Sequence, residues 1–331
     1  MNNIVILSGN GNKPLAKEIA LRATHQQPAL AIVDTFPDGE TKVQIDTNVR
    51  GGDVFIVQPT CPPTNNNLME LLLMIDACRR ASADRITAVI PFYGYSRQDR
   101  KDQPRVPISA KLVANMLVTA GANRILTMDL HAPQIQGFFD IPVDHLYSLP
   151  VAHQRAGLHS KVYQTVVVSP DLGGMKRASA FAKAFNADLA IVSKSRVDAT
   201  TTTADYIVGD VKGKYALLVD DMTETGGTLV NAARLLKERG AAGVSAFVTH
   251  ALIDNDVARV RLKEAFRANE LDFLYTTDTV PLNLDSPANT CFNFSTGGPR
   301  IIPLTVAGLF AEAIRRIHNK ESVTQLFELG Q

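Results

Sequence analysis

Two adjacent carboxylates, Asp220 and Asp221, follow the apolar run Ala216-Leu217-Leu218-Val219, and after them come Met222-Thr223-Glu224-Thr225-Gly226-Gly227-Thr228 and an amphipathic stretch. An apolar run of that length, bounded by polar and glycine residues, reads as a buried strand. The string is therefore a strand that delivers two carboxylates to a loop, with a Thr/Gly segment opening a helix. Backbone N–H groups at a helix N-terminus, with the helix dipole behind them, bind a phosphate. Carboxylates beside that phosphate accept hydrogen bonds from sugar hydroxyls. An acidic pair at a strand end commonly does no more than terminate the strand, and Thr225 by itself would be a helix cap. The complete string is what favours a ligand site.

Other residues of the same kind recur. Met128-Asp129-Leu130-His131 and Ser169-Pro170-Asp171 each place a polar turn directly after an apolar strand, where open α/β sheets bind ligands. Phe36-Pro37-Asp38-Gly39-Glu40 suits a tight turn. The run Arg97 to Lys101, approached by Phe92 to Tyr95, has the composition of a solvated charge cluster. Lys194 and Arg196 precede the polar segment 198–203, which contains four consecutive threonines and has no period; it is expected to be a mobile loop.

The elements that must position these residues alternate. Strands are expected over 4–7, 31–33, 54–57, 86–90 and 125–128, then over 166–168, 189–192, 216–219 and 244–248. Between them Leu68, Leu71, Leu72 and Ile75 form one helical stripe, Pro107 to Ser109 opens a helix that Gly121 can close, and helices are expected near 175–185 and 227–239. Alternating strands and helices give an α/β fold with mainly parallel sheets flanked by helices. At 331 residues the chain suggests two domains, with the boundary near Pro142 to Pro150. Residues 281–299, rich in Asn, Gly, Pro and Thr, are expected to be irregular.

Composition excludes several classes. With 34 Lys+Arg against 33 Asp+Glu the net charge is +1, so no global field draws a nucleic acid or an anionic membrane. No apolar run approaches the roughly 18 residues of a membrane helix, the best, 68–75, being interrupted by Glu70. Met1-Asn2-Asn3 lacks the basic start of a signal peptide, and three widely spaced cysteines without a CxxC indicate neither a disulfide framework nor a zinc site. A reduced, cytoplasmic protein is expected.

The motifs Phe36-Pro37-Asp38-Gly39-Glu40, Tyr93-Gly94-Tyr95-Ser96-Arg97-Gln98-Asp99-Arg100-Lys101, Asp129-Leu130-His131-Ala132 and Gln134 to Asp140 occur in one order ahead of the Asp220-Asp221 string. Together they resemble the ribose-phosphate diphosphokinase family, from about Ser8 to Phe327. The resemblance implies two phosphoribosyltransferase-like domains, 1–146 on the ATP side and 147–331 on the ribose 5-phosphate side. It implies an enzyme that moves the diphosphoryl group of Mg-ATP to the 1-hydroxyl of ribose 5-phosphate, giving phosphoribosyl diphosphate and AMP. By the same resemblance Phe36, Asp38, Glu40, Arg97 and Gln98 bind ATP, and Asp220, Asp221, Glu224, Thr225, Gly226, Gly227 and Thr228 bind ribose 5-phosphate. His131 and Asp171 hold Mg²⁺, Lys194 and Arg196 are catalytic, and the chain forms a homo-oligomer, a hexamer in the family.

Glu224 stands where the family usually has Asp, the segment beyond Arg196 differs from the family's loop, and a Ser-Gly element after His250 is absent. A non-catalytic paralogue serving as a regulatory subunit is the alternative. Retention of His131, Asp171, Lys194, Arg196 and the Asp220-Asp221 pair speaks against it. A phosphoribosyltransferase acting on a base would leave the Phe36 turn and the Arg97-Gln98 segment unexplained.

Overall fold

The computed structural model describes residues 3–156, 164–198, 201–282, 293–294 and 298–327. They divide into two compact units, Met1–Ser148 with Thr279–Pro281 and Thr305–Gln331, and Leu149–Asp278 with Leu282–Leu304. A split into 1–146 and 147–331 would place the C-terminal helix with the second unit; by its contacts it belongs to the first.

The first unit contains β1 (Ile4–Ser8), α1 (Lys13–Thr24), β2 (Ala31–Thr35), β3 (Thr41–Ile45), β4 (Asp53–Val57), α2 (Thr64–Arg80), β5 (Arg85–Ile90), α3 (Ser109–Ala120), β6 (Arg124–Met128) and β7 (Val143–Leu146). Its main sheet has the order β1-β4-β5-β6-β7 with every pair parallel. β4 is buried along its whole length, as strands covered on both faces must be, which is why it reads as an unbroken apolar run. β2 and β3 form a separate antiparallel hairpin. β3 was not legible as a strand because Lys42 and Gln44 alternate with Thr41, Val43 and Ile45, and only the latter three turn towards the protein.

The second unit contains α4 (Leu149–Ala156), β8 (Thr165–Ser169), α5 (Met175–Phe185), β9 (Asp188–Asp198), β10 (Thr201–Val208), β11 (Tyr215–Thr223), α6 (Gly227–Glu238), β12 (Gly243–Ala251), α7 (Asp256–Arg267), β13 (Phe273–Thr277), the two-residue β14 (Asn293–Phe294) and β15 (Gly298–Pro299), and β16 (Ile301–Leu304). The sheet order is β10-β9-β8-β11-β12-β13-β16. One core lies between it and α6 and α7, around Leu218, Leu236, Val248 and Leu262; the other, around Phe181, Val219 and Phe247, meets α4 and α5. Of the loop expected at 198–203, the described residues are strand instead, and Ala199 and Thr200 lie outside the described residues. β9 runs to Asp198 and β10 starts at Thr201, antiparallel to it. Threonine is β-branched and suits a pleated strand, and that preference prevails over the polarity that suggested a loop. Most of the irregular stretch expected at 281–299 lies outside the described residues.

The last helix, α8 (Ala307–Asn319), buries Ala307, Phe310, Ala311, Ile314 and Ile317 and packs with α1 in the first unit. Its end is fixed to the start of the main sheet. Asp53 and Arg85 are register partners at the first residues of β4 and β5. Arg85 Nε donates to Asp53 Oδ1 at 2.8 Å, its Nη2 pairs with Oδ2 and also donates to the Ile317 carbonyl at 3.1 Å, and His318 Nδ1 lies 2.8 Å from Asp53 Oδ2. Asp53→Ala is expected to lower stability by about 3 kcal/mol, because a mostly buried guanidinium loses its counter-charge. A urea midpoint equal to that of the parent protein would show that the cluster contributes nothing.

Candidate functional site

In the second sheet the chain proceeds outward from β8 to β9 and β10 on one side, and from β11 to β12, β13 and β16 on the other. Strand order therefore reverses between β8 and β11, and the crevice outside their carboxyl ends is where such sheets hold ligands. Asp171 follows β8, and the segment from Asp220 to Thr228 ends β11 and opens α6, so the topology gathers these residues at that crevice.

Asp220 and Asp221 sit in the carboxyl-terminal half of β11, which continues to Thr223. The Asp221 N–H donates to Asp220 Oδ1 at 2.9 Å. Arg177, in the first turn of α5, places Nη1 3.2 Å from Asp221 Oδ1 and 3.5 Å from Asp220 Oδ1. Burial is the main reason the Asp220 carboxyl is pushed up to about 8, the Asp221 charge adds to it, and Arg177 pulls the other way. The pair is thus short of positive charge and takes hydroxyl donors or a cation readily.

The turn that follows is held by its carbonyls. Asn255 Nδ2 donates to the Glu224 carbonyl and Arg261 Nη1 to the Thr225 carbonyl, both at 2.9 Å. Gly226 has φ +70°, and a Cβ on Gly227 would stand 2.8 Å from Arg261 Nη1. The two glycines are needed for different reasons, a left-handed backbone at one and a close approach at the other. Gly226 is also the N-cap of α6 and has no side chain to satisfy the first-turn N–H groups. Glu224, Thr225 and Thr228 are exposed on this turn. Such a turn fits an oxyanion.

Asp171 is exposed; its Oδ1 accepts from the N–H of Gly174, the residue before α5, at 2.9 Å, and its carbonyl accepts from Ser169 Oγ at 2.6 Å. Lys194 and Arg196 lie on β9, opposite Asp205 and Thr203 of β10.

The first unit carries the other residues. Phe36 to Glu40 form the turn between β2 and β3: the Phe36 N–H donates to the Glu40 carbonyl at 2.7 Å, and the Glu40 N–H to Asp38 Oδ1 at 3.1 Å. The Phe36 ring is 45% exposed, with Lys42 Nζ 5.9 Å from its centroid, which leaves an aromatic face open for stacking. Arg97 and Gln98 lie beyond β5 and are exposed. Gln98 also anchors α3: its carbonyl accepts from the Ala110 N–H at 3.2 Å and its Oε1 from the Ser109 hydroxyl. His131 is exposed just past β6. The preceding residues fix its place, since Asp129 has φ +37°, its Oδ2 accepts from the Ser148 N–H at 3.1 Å, and the Leu130 N–H donates to His145 Nε2 at 2.9 Å.

Arg177, Asn255 and Arg261 were missed by reading the sequence. Arg177 is 44 residues from Asp221 along the chain, and an isolated Arg on an amphipathic helix carries no signal of its partner. Among the described residues no group of three or more His, Cys, Asp or Glu side chains is gathered for a metal ion.

A family model described as the N-terminal domain of ribose phosphate pyrophosphokinase matches residues 4–121, and one described as a phosphoribosyl synthetase-associated domain matches 201–328. A ribose-phosphate pyrophosphokinase of Rhodopirellula baltica is 48% identical over 329 residues, covering 99% of each chain. That of Pasteurella multocida is 49% identical, covering 99% of this chain and 100% of its own. The crystal structure of phosphoribosylpyrophosphate synthetase from Mycobacterium smegmatis superposes with a TM-score of 0.86 at 39% identity, over 96% of this chain and 100% of that one.

The raised Asp220 carboxyl has a consequence for stability. Between about pH 4, where an ordinary carboxyl ionises, and about pH 8, the folded protein keeps a proton that the unfolded chain releases. Stability therefore falls as pH rises through that window. Asp220→Asn removes the effect, so its melting temperature relative to the parent protein is expected to rise steadily from pH 5 to pH 9. Parallel pH profiles for the two proteins would mean that Asp220 is ionised throughout.

Proposed function

The chain belongs to the ribose-phosphate pyrophosphokinase family, and on that premise we propose how its own residues perform the reaction. The enzyme transfers the diphosphoryl group of Mg-ATP to the 1-hydroxyl of ribose 5-phosphate, giving phosphoribosyl diphosphate and AMP for nucleotide biosynthesis. The observation that carries this reading is identity of 48–49% to ribose-phosphate pyrophosphokinases along 99% of the chain.

The second unit takes the sugar. The N–H groups of Thr225 to Thr228 and the start of α6 hold the 5-phosphate, and Asp220 and Asp221 accept from the ribose hydroxyls. Arg177 keeps the two carboxylates together until the sugar takes over their lone pairs, its Nη1 already lying 3.2 Å and 3.5 Å from them. Glu224 reaches the same turn with one methylene more than the family's Asp.

The first unit takes the nucleotide. Phe36 stacks on adenine, Asp38 and Glu40 accept from the base, and Arg97 and Gln98 complete the site. Lys194 and Arg196 on β9 meet the negative charge that spreads over the transferring group, one as a point charge and one as a bidentate fork. Since phosphoryl-type transfer is mainly positioning and charge stabilisation, these roles account for most of what a protein must do.

Mg²⁺ is the metal. Asp171, an exposed carboxylate, is the hard oxygen donor such an ion takes, whereas imidazole is not its usual ligand. Asp171 would therefore hold the ion, and His131 would face the phosphates that carry it. When bound, the ion neutralises charge on the diphosphoryl oxygens. The enzyme works as a homo-oligomer in the reducing cytoplasm, where Cys61 and Cys78, both buried and pushed up to about 12 by that burial, stay as unreactive thiols. Among the described residues no helix is long and apolar enough to cross a membrane.

The purified chain with ATP, ribose 5-phosphate and Mg²⁺ is expected to release AMP and form the sugar product with no added partner. Absence of product from the isolated chain would overturn the catalytic reading. Lys194→Ala and Arg196→Ala should each lower kcat on the order of 10² to 10³ with ATP affinity nearly unchanged, the loss seen when one transition-state donor is removed. Wild-type kcat in both would end their assignment. Glu224→Asp should stay within roughly tenfold of the parent rate; a loss of several orders of magnitude would show a site rebuilt around the longer side chain.

A further inference from the structure

Glu70 is an acidic residue on α2 whose side chain is turned inward, with only 8% of the residue exposed. It accepts three hydrogen bonds from amide groups: Oε2 from the Asn10 N–H at 3.0 Å and from Gln58 Nε2 at 2.8 Å, and Oε1 from Asn10 Nδ2 at 2.8 Å. A buried carboxylate is costly unless satisfied in this way, so the arrangement requires a reason.

Its neighbours show where the bonds lead. The Asn10 amide has two hydrogens, and both are committed, one to Glu70 and the other to the Val33 carbonyl of β2 at 3.1 Å. Gln58 is fully buried and equally committed: Nε2 donates to Glu70 and to the Asn67 carbonyl at 3.1 Å, while Oε1 accepts from the Gly11 N–H at 2.8 Å. The turn at Gly9 to Gly11 is pressed onto Gln58, since a Cβ at Gly9 would stand 2.4 Å from Gln58 Oε1. One carboxylate thus joins α2, the turn after β1, the end of β4 and the outer hairpin.

The hairpin is the element that needs holding. β2 and β3 form a two-stranded sheet of their own, not hydrogen-bonded to the main sheet, and two strands by themselves are marginal. Ala31, Val33, Val43 and Ile45 rest on the first unit's core, and the Ala29 N–H just before β2 donates to the Ile6 carbonyl of β1 at 2.7 Å; apolar contact has no direction, so nearer the turn it limits the hairpin's distance more than its sliding along the surface. A directional hydrogen bond to the Val33 carbonyl opposes that sliding. Val33 is three residues from Phe36.

We propose that Glu70 is a positioning residue for the nucleotide: through Asn10 it sets the β2–β3 hairpin, and so the turn bearing Phe36, Asp38 and Glu40, in the place where ATP is bound. The proposal rests on the reading of that turn as the adenine side of the site. The carboxylate is essential because every bond it makes is an acceptance. Glutamine, of the same shape, has one acceptor oxygen and would set an NH₂ group against the N–H donors of Asn10 or Gln58.

The test is Glu70→Gln in the full-length protein, with two measurements. Amide exchange of the unliganded protein is expected to be about tenfold faster in 31–45 and unchanged in β4 and β5, a local opening with the sheet intact. Steady-state kinetics should show KM for ATP raised about tenfold, the scale of one such hydrogen bond, with kcat and KM for ribose 5-phosphate within twofold of the parent. Asn10→Ala, which breaks the same link from the other side, should reproduce both changes. Unchanged exchange in 31–45, or faster exchange throughout the first sheet with kcat and both KM values altered together, would overturn the proposal in favour of a purely structural role. Phe36→Ala, measured in parallel, separates the two readings. A parental KM for ATP there overturns the nucleotide assignment of the turn, whereas a raised one beside an unchanged KM in Glu70→Gln overturns the positioning role alone.

Discussion

Two acidic groups on consecutive residues of a buried strand cannot both carry charge cheaply, and burial together with the Asp221 charge leaves Asp220 holding its proton to about pH 8. Arg177 Nη1 lies within reach of both Asp220 and Asp221 and draws the two side chains together. Arg177 can reach them only because α5 starts beside β8, and β8 is the parallel neighbour of β11. The position of that crossover is therefore tied to the charge it brings. The same neighbourhood places Asp171 at the entrance to α5, where its carboxylate holds the Gly174 N–H just ahead of the helix.

The turn after the acidic pair shows a complementary constraint. Its carbonyls are drawn towards Asn255 and Arg261, and glycine at 226 and 227 lets the backbone follow. Holding the carbonyls reserves the N–H groups for an anion. The helix dipole of α6 then adds to the attraction in the place where the acidic pair would oppose it. Acidic side chains and unsatisfied N–H groups thus stand side by side on one short segment, which is the chemistry complementary to a molecule with hydroxyls at one end and an anion at the other.

In the first unit polar side chains fix the segments that leave the carboxyl ends of the strands. Asp129 holds Ser148, His145 holds Leu130, and Gln98 holds Ser109. Each bond joins a functional segment to an element distant in sequence, so exposed residues such as His131 stand on supports that are themselves buried. At the amino ends of the strands Asp53, Arg85 and His318 attach the end of α8 to the beginnings of β4 and β5. A C-terminal helix that packs with the N-terminal unit ties the two ends of the sequence to one core.

Much of this was legible in the amino-acid sequence. Apolar runs fixed the buried strands because a parallel strand covered on both faces has no freedom to be polar, and the strand, turn and helix of the string from Asp220 to Thr228 were readable because they are contiguous there. The motifs around Phe36, Arg97 and His131 were visible for the same reason, each being a local run. What the sequence left open depends on contacts between distant residues. β3 was hidden because half its residues face water, the 198–203 segment was misjudged because polarity masked the strand preference of threonine, and α8 was assigned by chain order to a unit it does not pack with. Arg177 and Glu70 gave no sign of their partners, since a charge buried by tertiary packing and a charge in solvent are spelled by the same letter. Only the folded chain decides which of the two it is, because burial and pairing are properties of neighbours that the sequence does not place side by side.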